Sequence, residues 1–205
     1  MADAGVRLLD LHAIVIAEPQ FNTLVKQHGT KAATTGHALG THLQTVWSRY
    51  ATGPDRTLAT GGPRVVCDRQ GGRTDYGPML YDWLPPVAAA ARENRGSVTM
   101  LEETPERCRY EAVVTSPAAE AGALHASFQP EGETQHLPIA LASMTAKLIR
   151  ELSMHRFNTH WSARGAAQSI ELKPTAGYVQ DARRWLVDAK PLLTKADRDA
   201  LIRIA

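Results

Sequence analysis

The chain has 205 residues, of which 43% are hydrophobic and 21% charged, and this composition is typical of a globular protein. No apolar run approaches the roughly 18 residues that cross a bilayer, and no basic stretch precedes an apolar one at the N-terminus, so we expect neither a membrane span nor a secretory signal. The net charge is only +2, but the segment from Ser143 onward carries 11 Lys/Arg against 6 Asp/Glu, which is typical of a protein that binds an anionic polymer.

The two cysteines, Cys67 and Cys108, lie far apart and do not have the spacing of metal ligands. A disulfide scaffold or a zinc knuckle is therefore not expected, and a reducing, cytoplasmic location is predicted.

The first part of the chain predicts strands and helices in alternation. The β-branched run LHAIVIA, residues 11–17, predicts a strand buried on both faces. Pro19 suits the first turn of a helix that Gly29 ends, and a second amphipathic helix extends to Tyr50. After a Gly- and Pro-rich loop, RVVC predicts a strand, and MLYDWL predicts a short helix that ends before Pro85.

The second part predicts a strand, a hairpin and three helices. SVTMLEE reads as a strand, and RCRYEAVV and ALHASFQ alternate strictly, as the two arms of a hairpin do. A long helix begins near Leu137 with an apolar stripe from Ile139 to Leu152, and two shorter helices follow, the last capped by Thr194. These patterns predict a single α/β domain over residues 1–205, with helices on a mixed sheet.

Acidic residues follow three of the predicted strands: Asp68, Glu102 with Glu103, and Glu133. Rigid strand ends can bring carboxylates together around Mg²⁺, which binds a few carboxylates, water and substrate phosphates. The alternative is that these acids mark only where strands meet solvent.

The loop after Asp68 carries Arg69 and Arg73 on either side of Gly71 and Gly72. The arginines could neutralise phosphates while the glycines allow close approach of the backbone. An ordinary turn is the alternative interpretation of the two glycines.

Three motifs resemble ribonuclease HII, a member of the ribonuclease H superfamily. ALASMTAKLIREL resembles the family's helix AASI-x-AK-x-x-RD, with Ser143, Lys147 and Arg150 at matching positions. The family has a catalytic aspartate ten residues before the helix serine, and the residue there is Glu133. VVCDRQGG resembles the strand that ends in another catalytic aspartate, here Asp68, and LKPTAGY resembles the segment whose tyrosine lies against the substrate ribose, here Tyr178.

The resemblance implies a ribonuclease H-like fold with an inserted hairpin and a metal-dependent endonuclease acting on RNA in RNA/DNA hybrids. Asp68 and Glu133 would bind Mg²⁺ or Mn²⁺, and Glu102 could replace Glu133. The residues that would contact nucleic acid are Arg69, Arg73, Ser143, Lys147, Arg150 and Tyr178.

One departure from the family concerns its first strand, which carries an adjacent Asp-Glu in DEAGRG. Asp10 in LLDLHA has neither the Glu nor the glycines. Either the chain is a fragment that lacks this strand, or the natural protein does without it. A catalytically incomplete nucleic-acid-binding module is therefore the alternative function.

Overall fold

The structure, a computed structural model, describes residues 5–56, 61–70, 73–115 and 121–204. Over these residues the protein has an α/β fold with a four-stranded mixed sheet flanked by helices, which confirms the predicted fold class. The chain divides into two compact units, residues 28–140 and residues 1–27 with 141–205. The single domain over residues 1–205 stays a prediction. None of the helices described is long and apolar enough to cross a membrane.

The sheet belongs to the unit of residues 28–140. Its strands, in chain order, are β1 (Arg64–Asp68), β2 (Gly96–Glu103), β3 (Cys108–Val114) and β4 (Gly122–Gln129). Their spatial order is β1-β4-β3-β2, with β1 parallel to β4 and the other neighbouring pairs antiparallel. Strands β1, β2 and β4 therefore run in the same direction, and their carboxyl ends lie at one edge of the sheet.

The core of this unit fills one face of the sheet. Side chains alternate between buried and half-buried along β3 and β4, which confirms the predicted hairpin arms. The helices that contribute to the core are α2 (Lys31–Val46), which continues as a π-helical turn to Ala51, α3 (Gly77–Trp83) and α4 (Pro85–Ala91). The parallel stacking of Tyr76 on Phe128, with ring centroids 3.7 Å apart, lies in this core.

The other unit is helical among the residues described. It contains α1 (Glu18–His28) up to residue 27, α5 (Leu137–Ala166) from residue 141, α6 (Val179–Asp188) and α7 (Lys195–Leu201). Its core includes Trp161 and Trp185, whose rings meet edge to face at 5.5 Å. Thr194 caps α7 through a reciprocal capping box with Asp197, as the sequence predicted.

One sequence prediction about an apolar segment is wrong. Residues 11–17 form no strand, and Leu11 and Val15 are 50% and 58% exposed. High β propensity does not make a strand where no neighbouring strand completes the hydrogen-bond ladder. The long helix predicted from Leu137 is confirmed as α5. Its apolar stripe from Ile139 to Leu152 is largely exposed, and the buried residues of the helix are Trp161 and Gly165, near its end.

Candidate functional site

Asp68 and Glu133 lie at the carboxyl ends of β1 and β4, the adjacent parallel strands of the sheet. Asp68 is the last residue of β1 and is paired with Gln129, the last residue of β4, and Glu133 lies four residues later in the 3-10 turn Gly132–Thr134. The Arg69 N–H donates to the Gln129 carbonyl at 2.9 Å, and β1 contacts the 3-10 turn. Both carboxylates are exposed, so the structure brings two of the predicted acids to one edge of the sheet.

Gln129 organises the segment that carries Glu133. Its side chain is only 4% exposed, and its amide donates to Gln135 at 3.4 Å while its carbonyl oxygen lies 3.3 Å from His136 Nε2. A Cβ at Gly132 would lie 2.6 Å from Cδ1 of Ile139, so the end of that side chain would have to shift to admit a larger residue. The turn is therefore held against the end of β4.

Gln129 and His136 were not identified from the sequence. No sequence signal indicated them, because strict alternation after the buried Phe128 would place Gln129 on the solvent face, whereas it is only 4% exposed. A buried amide needs partners, and this requirement points to nearby polar residues.

Glu102 lies at the same edge of the sheet, on β2. Two strands separate β2 from β1, so their ends are roughly 14 Å apart at the usual strand spacing. Arg107 and Arg109 form ion pairs with the Glu102 carboxylate at 2.9 and 3.3 Å. Hydrogen bonds from Arg107, and then from Arg109, lower the pKa of Glu102. The carboxylate is thus already paired with arginines of its own hairpin.

The two arginines of the loop after β1 have different surroundings. The Arg69 guanidinium donates to the Pro105 carbonyl at 2.8 Å and the Thr104 carbonyl at 3.3 Å, so it connects β1 to the turn between β2 and β3. Its contact with phosphate stays a prediction. Arg73 is exposed, and Gly71 and Gly72 lie outside the described residues.

Tyrosines fix the chain on both sides of this loop. The Gln70 N–H donates to the Tyr76 hydroxyl at 2.9 Å, and the Tyr76 N–H donates to the Tyr110 hydroxyl at 3.0 Å. Burial raises the pKa of both phenols, so both stay protonated near neutral pH. Burial, and next the charge of Asp68, also raises the pKa of the Cys67 thiol to about 12.

The remaining predicted residues belong to the other unit. Ser143 is half-buried and Lys147 is exposed, one turn further along α5. Arg150 donates to the Ala176 carbonyl, and its guanidinium lies 4.3 Å from the centroid of the Tyr178 ring, which is 65% exposed. The structure therefore brings Arg150 and Tyr178 together at the protein surface.

A hydrogen-bond network fixes the loop that precedes Tyr178. The Asn158 side chain forms two hydrogen bonds with the backbone of Thr175. Its amide donates to the Thr175 carbonyl, and its oxygen accepts from the Thr175 N–H, each at 2.9 Å. The Asp181 carboxylate accepts from the Thr175 hydroxyl at 2.7 Å, from the Ala176 N–H and from Arg184. Hydrogen bonds from Arg184, then Thr175 and the Ala176 backbone, lower the pKa of Asp181 to about 2. Tyr178 is therefore presented on a preorganised loop.

The β1/β4 edge carries two carboxylates of the kind that bind hard cations. Asp68 and Glu133 supply carboxylate oxygens, and Mg²⁺ is commonly bound by one or two carboxylates with water and substrate phosphates completing its shell. Among the described residues, no group of three or more His, Cys, Asp or Glu could hold a metal ion. A structural zinc site is thus not found in this part of the chain.

Comparison of the chain with known protein families, with curated proteins and with solved structures found no match. The likeness to ribonuclease HII therefore stays a prediction from the sequence motifs.

Proposed function

We propose that this chain is a metal-dependent endonuclease of ribonuclease HII type, which hydrolyses RNA in RNA/DNA hybrids. The observation that supports this most strongly is the position of Asp68 and Glu133, which follow neighbouring parallel strands at one sheet edge. The residues come from two motifs that were matched independently in the sequence, 65 positions apart.

Asp68 and Glu133 would hold Mg²⁺ or Mn²⁺, which when bound activates water and stabilises the leaving oxygen in phosphodiester hydrolysis. Glu133 is the better candidate for the second acid than Glu102, because β4 is adjacent to β1 and two arginines already neutralise Glu102.

Residues of the helical unit would bind nucleic acid. Lys147 is exposed and suits a phosphate contact, as do Arg183 and Lys173 near the loop before Tyr178. The exposed Tyr178 ring, with Arg150 against it, offers a rigid flat surface for a ribose or a base. Ser143 is half-buried on α5 and would act from the same helix as Lys147.

The decisive experiment is cleavage of a labelled RNA/DNA hybrid with Mg²⁺ or Mn²⁺ by the wild-type protein and by Asp68→Asn. We expect cleavage by the wild type and its loss in the variant. Asp199→Asn, an exposed change on α7, is the matched control and should cleave normally. Equal cleavage by wild type and Asp68→Asn would indicate a contaminating nuclease and contradict the proposal.

A nucleic-acid-binding module without catalysis is the second candidate. It is favoured by the small number of acids at the β1/β4 edge, since the described residues contain no group of three or more His, Cys, Asp or Glu that could hold a metal ion. This candidate requires hybrid binding that weakens with increasing salt and survives Asp68→Asn. Absence of binding to any nucleic acid at low salt would contradict both candidates.

A further inference from the structure

A cavity of about 600 Å³ lies in the unit of residues 28–140, and of its lining residues only Arg73 belongs to the predicted nucleic-acid contacts. Its walls come from His28 and Thr30 before α2, from the first turns of α2, from α3, and from Gln70 and Arg73 after β1. This volume is within the range of about 300–1,000 Å³ that is usual for small-molecule sites. A ligand of the size of a nucleotide would fit.

Charged and hydrogen-bonding side chains line the cavity without being paired to each other. Arg73 and Asp82 have opposite charges and share the cavity, yet among the described residues neither side chain forms a hydrogen bond or an ion pair. Each therefore keeps its full capacity to bind a ligand group: Arg73 an anion, and Asp82 a donor such as an amino or imino group.

Two histidines add further donors. His28 and His37 both line the cavity and stack on one another, with ring centroids 5.4 Å apart and an angle of 29° between the rings. Within the described residues neither imidazole forms an ion pair with an acidic side chain. Their ring N–H groups, together with Arg73, give the cavity several donors suited to a phosphate.

Much of the rest of the wall is apolar and rigid. Met79 and Trp83 contribute to it from α3, and alanines and Gly36 contribute from α2. A Cβ at Gly36 would lie 3.1 Å from the Trp83 indole, so the helix and the indole are in close contact. A flat apolar group can pack on such a wall, and Gln70 supplies an amide that can pair with a polar ring edge.

From these features we infer that the cavity binds a nucleotide, with its phosphate at Arg73 and the two histidines and its base between the apolar wall, Asp82 and Gln70. The ligand is either a free mononucleotide or one nucleotide unit of a nucleic-acid strand, since both present the same chemistry. This inference does not depend on the metal-binding acids, because neither Asp68 nor Glu133 lines the cavity.

The test is calorimetric titration of the full chain with the four ribonucleoside monophosphates, the corresponding nucleosides, inorganic phosphate and a short single-stranded oligonucleotide. We expect at least one monophosphate to bind more tightly than its nucleoside and than inorganic phosphate. Binding of the oligonucleotide alone would identify the strand as the source of the nucleotide. In either case Arg73→Ala should weaken binding about tenfold or more, as loss of a charge-assisted hydrogen bond does.

Matched variants decide whether the cavity is responsible. Arg92→Ala removes an exposed arginine at the end of α4, away from the cavity lining, and should leave nucleotide binding unchanged. Asp82→Asn should alter the preference among bases, and Asp199→Asn should not. Binding that is insensitive to both Arg73→Ala and Asp82→Asn, or no binding by any nucleotide or oligonucleotide, would overturn the inference. Asp68→Asn should bind nucleotides normally, so failure of the nuclease proposal would be recognised separately.

Discussion

Asp181 is the residue on which the conformation of the loop before Tyr178 most depends. Its carboxylate accepts hydrogen bonds from Thr175, Ala176 and Arg184, and these lower its pKa from the ordinary 3.8 to about 2. A group with a lowered folded-state pKa stabilises the fold above its ordinary pKa, and this contribution disappears as the pH falls toward the folded-state value. The relevant window here is from about pH 4 to about pH 2.

We expect Asp181→Asn to lower the urea midpoint at neutral pH, and the difference from wild type to shrink between pH 4 and pH 2. Urea unfolding at a series of pH values measures this directly. Asp199→Asn should follow the wild-type pH dependence. Parallel curves for wild type and Asp181→Asn would show that ionisation of the carboxylate between pH 4 and pH 2 does not change the stability.

At the residue scale the sequence predicted local interactions better than long-range ones. Thr194 was correctly identified as a cap, because the capping box involves residues three positions apart. The direction of Arg69 was not predicted, since its carbonyl partners Pro105 and Thr104 lie more than 30 positions away. The role of Gln129 depends likewise on how the chain turns after β4.

At the scale of elements, the strand order separates the two candidates for the second acid. If Glu133 acts with Asp68, Glu133→Gln should reduce cleavage of the hybrid by at least the roughly 10–100-fold typical of losing a residue that supports a metal site. Glu102→Gln should leave cleavage nearly unchanged, because β2 is not adjacent to β1 or β4.

Single-turnover cleavage rates over a range of Mg²⁺ concentrations measure both effects. Glu131→Gln, which removes an exposed charge two residues from Glu133, is the matched control and should behave as wild type. A large loss in Glu102→Gln with normal activity in Glu133→Gln would reverse the assignment.

The contact between α2 and α3 depends on glycine. A Cβ at Gly40 would lie 2.6 Å from Cδ1 of Trp83, a rigid indole that is only 8% exposed. Alanine favours a helix over glycine by about 1 kcal/mol, but overpacking a core costs about 1–3 kcal/mol. We therefore expect Gly40→Ala to lower the free energy of unfolding by about 1 kcal/mol, measured by urea denaturation.

Thr35→Ala, at an exposed site of the same helix, provides the comparison for this substitution. Its effect should stay within about 0.5 kcal/mol. A Gly40→Ala protein more stable than wild type would show that the indole moves away at little cost.

Periodicity identified most elements, because it records which face of each element is buried. The alternation in Cys108–Val114 and the helical spacing before Val46 both correspond to buried faces in the structure. The strand predicted at residues 11–17 is absent, because this apolar segment has no neighbouring strand to pair with. Strand order was not predictable from periodicity, so the placement of Asp68 next to β4 required the structure.

At the scale of the whole molecule, each compact unit has its own core. All the buried residues of one apolar cluster, from Leu43 to Phe128, lie within residues 28–140, and those of the other, from Trp161 to Leu193, lie beyond residue 140. A unit that contains its own core can in principle fold alone. We therefore expect residues 28–140, expressed alone, to unfold cooperatively and to keep a near-ultraviolet circular dichroism signal from Trp47 and Trp83.

A core substitution makes this test quantitative. Leu84 is completely buried in the cluster of residues 28–140, so Leu84→Ala should cost about 2–5 kcal/mol. If the unit is autonomous, the cost should be the same in the shortened chain and in the full chain. A shortened chain without a cooperative transition would support the single domain over residues 1–205 that the sequence predicts. An equal loss of unfolding free energy from Leu84→Ala in both chains would instead mean that residues 28–140 alone position the acids at the β1/β4 edge. Both Asp68 and Glu133 belong to that unit.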